Sequence, residues 1–506
     1  MKRLVGLSFI LVLVLAVFLN AQKMDFKAKM LVELDTNIID DQGIRKNKDG
    51  AMQLTTTSAA AKELYLKAEK LIDDFKSEEA IPLLEKAISL DENFAMAHLR
   101  LAQELDNHEK AFEHFQKVLK LVGKVSEGEA LWIKYVNALA FGPMDDSRTL
   151  RDKLDSLFPD DKRIQFEIGA SYFQDNLKKA IEHFEKSVKL DPDFAPAYNM
   201  LGYSYAKQNE FQEAEKAFKK YAELQPNSSN PYDSYAEMLL KQGRYDESIA
   251  QYRKALSIDP SFYYSLLGMG HNYIFKGDFN KARQYYSQLF NEAKSKGYKY
   301  DALYNEAISY LHEGRTEDAL KTMDRYRELA TSDENYSEAS TAARRKSYIL
   351  AETGNTKEAM EQNKQAFDLL EKFKATETEK KLNKEWLNLD KSFILIKKGD
   401  LKEARLQLEK SGTVLSDQKG GDIDKYFNTV MGELCLKEGD YDEALKYLSG
   451  GFTTTPENLY YTAQAYQKKG DNEKVRECLE KILNSNENSV GLAIMRPRVR
   501  EILSAK

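Results

Sequence analysis

Histidines, cysteines and paired carboxylates are the groups in this sequence that could carry acid–base, nucleophilic or metal chemistry, and their spacing suits none of these. His98, His108, His114, His183, His271 and His312 include no helical pair flanking a carboxylate, as a zinc-hydrolase helix requires. His98 falls at the first position of an apolar helical stripe and reads as packing. Cys435 and Cys478 lie in separate helical patterns among apolar neighbours, with no histidine close in sequence to activate them, so both read as small buried side chains. Whether they ever pair stays open. Gly268-Met269-Gly270 is a lone Gly-x-Gly inside a helical pattern with no strand before it, which is not a phosphate loop. No Gly-x-Ser-x-Gly elbow occurs. Asp145-Asp146 and Asp160-Asp161 stand in loops or at helix starts, where acids complement the helix dipole. The chain therefore reads as not an enzyme, with no catalytic, cofactor-binding or metal-binding residues and no cofactor.

The elements that hold these residues come from a chain of 506 residues with 42% hydrophobic and 31% charged content, enough to build a core without disulfides or metals. Basic and acidic residues are interspersed, and the formal net charge is -6, so no basic footprint for nucleic acid exists. Residues 1–21 read as a secretory signal peptide: Met1-Lys2-Arg3 is basic, Leu4 to Leu19 is apolar, and Ala21 offers a small residue for cleavage. That apolar run is shorter than a membrane-spanning helix needs, which favours an exported, periplasmic or secreted protein. The alternative is membrane anchoring by an uncleaved N-terminal segment. No later segment could span a membrane.

From Ala59 onward apolar residues recur at three-to-four spacing, and a longer period overlies them. Pro192, Pro226 and Pro260 recur every 34 residues, as do Ala180, Ala214, Ser248 and Ala282. Gly243, Gly277, Gly314, Gly354, Gly399, Gly439 and Gly470 each stand five residues before a small side chain: Ser248, Ala282, Ala319, Ala359, Ala404, Ala444 and Val475. Glycine ends one helix, and the small residue lets the next pack closely on it.

Tyr198, Leu201, Gly202, Tyr205, Ala214, Phe218 and Pro226 resemble the tetratricopeptide (TPR) pattern, with Tyr in place of its first Trp. Tyr232, Tyr235, Ala236, Leu239, Ser248, Tyr252, Ala255 and Pro260 repeat it. The resemblance implies an all-α, right-handed superhelical solenoid of about twelve helix pairs, starting near 61, 95, 128, 161, 195, 229, 263, 300, 340, 385, 425 and 456. The stretch from Thr55 to about residue 290 also resembles TPR ectodomains of bacterial regulators. The expected organisation is a signal peptide (1–21), a flexible N-terminal arm (22–58), a regular array (59–293), an irregular array with longer loops (294–490) and a C-terminal capping helix (491–506).

Stacked pairs leave a concave surface lined by each first helix, the default place for binding. Offsets between the core positions put Asn199, Tyr203, Asp233, Glu237, Tyr264, Leu267, His271, Phe275 and Tyr304 in a peptide-binding groove. The resulting expectation is a non-catalytic exported scaffold or adaptor that binds proteins or peptides. The alternative is a periplasmic sensor or ligand-binding component of a signalling system.

Overall fold

The computed structural model describes residues 50–504, apart from Phe75 and residues 106–107, 142–143, 374–376 and 417–420. The expected signal peptide, and the arm up to residue 49, lie outside the described residues. Among the described residues the regular structure is twenty-five α-helices and one 3-10 turn at Val122–Lys124. The helices form two compact units that divide between Met238 and Leu239.

In the first unit the pairs are α1/α2 (Ala59–Asp73, Ser77–Leu90), α3/α4 (Ala95–Glu104, His108–Leu121), α5/α6 (Glu127–Phe141, Met144–Leu157), α7/α8 (Lys162–Tyr172, Leu177–Leu190) and α9/α10 (Ala195–Lys207, Phe211–Leu224). Helix α11 (Asn230–Lys241) carries the division, and α12 (Tyr245–Ile258) follows it in the chain. The second unit continues with α13/α14 (Tyr263–Phe275, Phe279–Glu292), α15/α16 (Lys296–His312, Thr316–Ser332), α17/α18 (Tyr336–Glu352, Thr356–Lys372), α19/α20 (Glu377–Lys398, Leu401–Val414), α21/α22 (Asp422–Glu438, Tyr441–Gly450), α23/α24 (Pro456–Lys469, Asn472–Asn484) and a last helix, α25 (Val490–Ser504). Each helix packs chiefly on its chain neighbours, which is the arrangement of a TPR-like solenoid.

The sequence punctuation explains these elements. All seven glycines named above have positive φ, between 76° and 91°, a region that costs residues with a Cβ about 1 kcal/mol or more. Six of the small residues five positions later are wholly buried, and Val475 nearly so. Asn335, Asn355, Asp278, Asp440 and Asp471 cap helices by accepting from the backbone N–H three residues on.

Three expectations need correction. The extra residues after Gly277 lengthen helices more than loops: α15 to α18 each have 17 residues, and α19 has 22. Inserting three or four residues adds about one helical turn and keeps the apolar stripe in phase. No break falls at 293, because α14 packs directly on α15 and Phe290 joins the core around Leu303. Residues 50–58 are not a flexible arm. The Met52 amide donates to Asp161 (2.8 Å), that of Thr55 to Glu129 (2.9 Å) and that of Thr57 to Asp91 (2.7 Å), while Met52 and Leu54 pack on the first core.

Candidate functional site

The first helices of the first unit border a cleft of about 910 Å³. Tyr65, Leu66, Glu69 and Asp73 reach it from α1, Met96 and Arg100 from α3, Trp132 from α5, and Arg163 and Glu167 from α7. Met52 and Leu54 close one side, and Gln225 braces another by donating to the Asp73 carbonyl (3.1 Å) and to Asp74 (2.6 Å). Leu54, Leu66, Met96, Leu99 and Trp132 supply the cleft's apolar wall, on which Leu66 is 50% exposed, and Lys62 and Lys70 line the cleft too.

The floor is charged. Arg100 donates through Nε and Nη2 to Glu69, and through Nη1 to Gln103. Both terminal nitrogens of Arg163 donate to Asp73, at 2.8 and 2.7 Å, and Nη2 also lies 3.4 Å from Glu69. Burial alone would raise the Glu69 carboxyl, but the two guanidinium groups hold it down to about 2. Glu167 differs. It is 4% exposed, its Oε2 has no hydrogen-bond partner, and burial, only partly offset by Arg100 and Arg163, pushes its carboxyl up to about 7.

In the second unit the corresponding face is covered by the chain's own C-terminal segment. Val490, Ala493 and Ile494 of α25 pack with Leu303, Ala307 and Leu311 of α15, while Leu492, Met495 and Val499 pack with Leu459, Val475 and Ile482 of the last pair. Helix α25 thus rests on the last pair and also on α15, four pairs earlier. Arg498 donates to the Glu352 carboxylate (2.7 Å) and to its carbonyl (2.6 Å). The same carboxylate accepts from Tyr461 (2.9 Å) and lies 2.8 Å from the Lys397 ammonium, which keeps it below its usual range despite burial. Lys397 also lies 2.6 Å from Glu433, and Tyr348 donates to Glu457 at 3.0 Å. A Cβ at Gly491 would stand 2.0 Å from the Glu457 carboxylate, so α25 approaches closely only because no side chain is there.

The residues expected in a groove fall in both units. Tyr203 and Glu237 meet on successive first helices, with the phenol donating at 3.2 Å, and Asp233 is half-buried one turn before Glu237. Asn199 is buried, with its Oδ1 unpartnered. Leu267 and His271 are buried too, and His271 shares Asn305 Oδ1 (2.8 Å) with the Asn488 amide (3.1 Å). Phe275 lies 5.5 Å from the Arg496 guanidinium. Tyr264 stacks edge-on with Phe262 and Tyr298, and Tyr304 carries the Arg345 guanidinium at 3.7 Å. None of these residues borders the cleft. Its Glu69, Arg100, Arg163 and Glu167 escaped the sequence reading, although charged residues wedged between apolar ones, as in Leu99-Arg100-Leu101 and Phe166-Glu167-Ile168, were a usable signal.

Cys435 and Cys478 are both buried free thiols. His98 is buried and faces His114, with the two Nδ1 atoms 2.8 Å apart.

A profile described as "TPR repeat" matches residues 236–277, and one described as "Tetratricopeptide repeat" matches residues 267–334. The chain carries tetratricopeptide repeats. A third profile, "Anaphase-promoting complex, cyclosome, subunit 3", matches residues 174–255. No curated protein matches the sequence. Among solved structures, the chain is similar to MamA protein, at 24% identity and a TM-score of 0.29, over 32% of this chain and 88% of that one. It is similar to YrrB, described as a TPR protein with an unusual peptide-binding site, at 18% identity and a TM-score of 0.27, over 35% and 91%. It is also similar to PilW, described as a type IV pilus biogenesis factor, at 18% identity and a TM-score of 0.29, over 48% and 98%. Among the described residues no helix of this TPR protein is long and apolar enough to cross a membrane.

Proposed function

We propose that this TPR protein is an exported, non-catalytic scaffold whose first array binds a segment of another protein in the cleft bordered by α1, α3, α5 and α7. The observation that carries the reading is the cleft itself. Exposed Leu66 stands on an apolar wall above a fixed charged floor, a combination suited to a protein segment that brings both an apolar contact and a polar anchor. The Tyr203–Glu237 rung on α9 and α11 extends the contact surface along the same array, because tyrosine supplies rigid area with a polar handle. Export is supported by the basic, apolar and small-residue order of residues 1–21.

The test places a photoreactive phenylalanine analogue at Leu66 in the mature protein and, as control, at exposed Lys216 on α10. Crosslinks to one defined protein from Leu66 and not from Lys216 are expected, and Leu66→Asp abolishes binding of that protein at unchanged helicity. The same spread of crosslinks from both positions overturns the reading.

A further inference from the structure

The first cleft holds an acid whose hydrogen-bonding capacity the rest of the chain leaves unused. Glu167 borders the cleft, is 4% exposed, and has a buried Oε2 with no partner. The two guanidinium groups whose charge partly offsets its burial spend their donors elsewhere, Arg100 on Glu69 and Gln103 and Arg163 on Asp73. Glu167 Oε2 thus receives none of their hydrogen bonds. A buried carboxylate without a donor is strongly unfavourable, so either a proton or an arriving cation relieves it. The second unit shows relief by a cation within the same chain, where Glu352 is met by Arg498 from α25.

We propose that the cleft takes a lysine or arginine side chain of the partner protein, its charged head against Glu167 and its aliphatic stem along Leu66, Met96 and Trp132. This deepens the peptide-binding reading of the same cleft and rests on it. Long basic side chains suit such a site, since they pack a stem on apolar surface while the head pairs with an acid.

The ionisation of Glu167 gives the site a second readout. Glu69 and Asp73 face it from α1, Arg100 from α3, Tyr135 from α5 and Arg163 from its own helix. Its carboxyl sits at about 7, raised by burial, so a proton competes with an arriving cation below that pH. Cation binding therefore tightens as pH rises through 7 and releases a proton.

The experiment measures binding of the full mature chain to short N-acetylated, C-amidated peptides in which leucines flank a central lysine, arginine, norleucine or glutamate. Lysine or arginine peptides are expected to bind about tenfold or more tightly than the norleucine peptide at about pH 8. The preference should shrink at about pH 6 and vanish in Glu167→Gln. Equal affinity for all four peptides in the unaltered protein overturns the cation site and leaves the peptide-binding reading standing. Absence of binding by every peptide overturns both. A preference that survives in Glu167→Gln also overturns the cation-site proposal.

Discussion

In the second unit Glu352 has Arg498, Lys397 and Tyr461 around one carboxylate, and α25 lies over the face where they meet. In the first unit Glu167 sits on an equivalent first-helix face, with Oε2 unpartnered and a cleft in front of it. Both faces come from the same repeat and both bury acids. What separates them is the supply of a covering element: the C-terminal segment brings an arginine and an apolar stripe to one face, whereas residues 50–58 only edge the other. Repeat number alone therefore does not tell how much binding surface a TPR chain offers.

Four substitutions, two of them read against pH, break or sharpen this contrast. Glu352→Ala leaves Lys397 and Arg498 facing each other without their shared acid and should destabilise the second unit by about 3 to 5 kcal/mol. Urea unfolding measures the loss, and hydrogen exchange should show α25 opening first. If the midpoint does not move, charge does not hold α25 in place.

Glu167→Gln should act with the opposite sign. A carboxyl raised from 4.5 to about 7 by folding contributes stability below the unfolded value, and that contribution disappears as pH rises through 7. The substitution should therefore stabilise the first unit by roughly 2 to 3 kcal/mol at about pH 8 and by little at about pH 4. Thermal unfolding at the two pH values checks this. A destabilised variant at about pH 8 would mean that Glu167 already has a counter-ion.

His312 gives a smaller effect. Burial first, and then Arg496, lower it to about 4, so the native protein keeps it neutral, donating to Asn488 on the C-terminal segment. Its contribution is present above the unfolded value and is lost as pH falls from about 6.5 to about 4, amounting to roughly 2 kcal/mol after allowance for partial exposure. His312→Gln should flatten that part of the pH–stability curve. The smallest shift belongs to Leu66→Asp, where exposure keeps the stability change within about 0.5 kcal/mol while binding is lost, so this variant separates function from folding.

Much of the fold was legible because its rules are local. A glycine every few tens of residues with a small residue five later prescribes a left-handed turn and a close crossing, and both appear at each of the seven positions. The extra residues beyond Gly277 misled, since a turn added to a helix and a turn added to a loop look alike when only glycine spacing is counted. The cleft was less legible. Arg163 reaches Asp73 across 90 positions, and Gln225 reaches Asp74 across 151, distances at which no periodic pattern carries a sign.

The amino-acid order alone specified the paired helices and the small residues at their crossings, because each depends on neighbours within a few turns. Which face stays open was decided only by the folded chain. Whether Glu352 finds Arg498 and Glu167 finds nothing depends on where segments far apart in sequence come to rest, and a buried charge is settled by whatever donor arrives beside it.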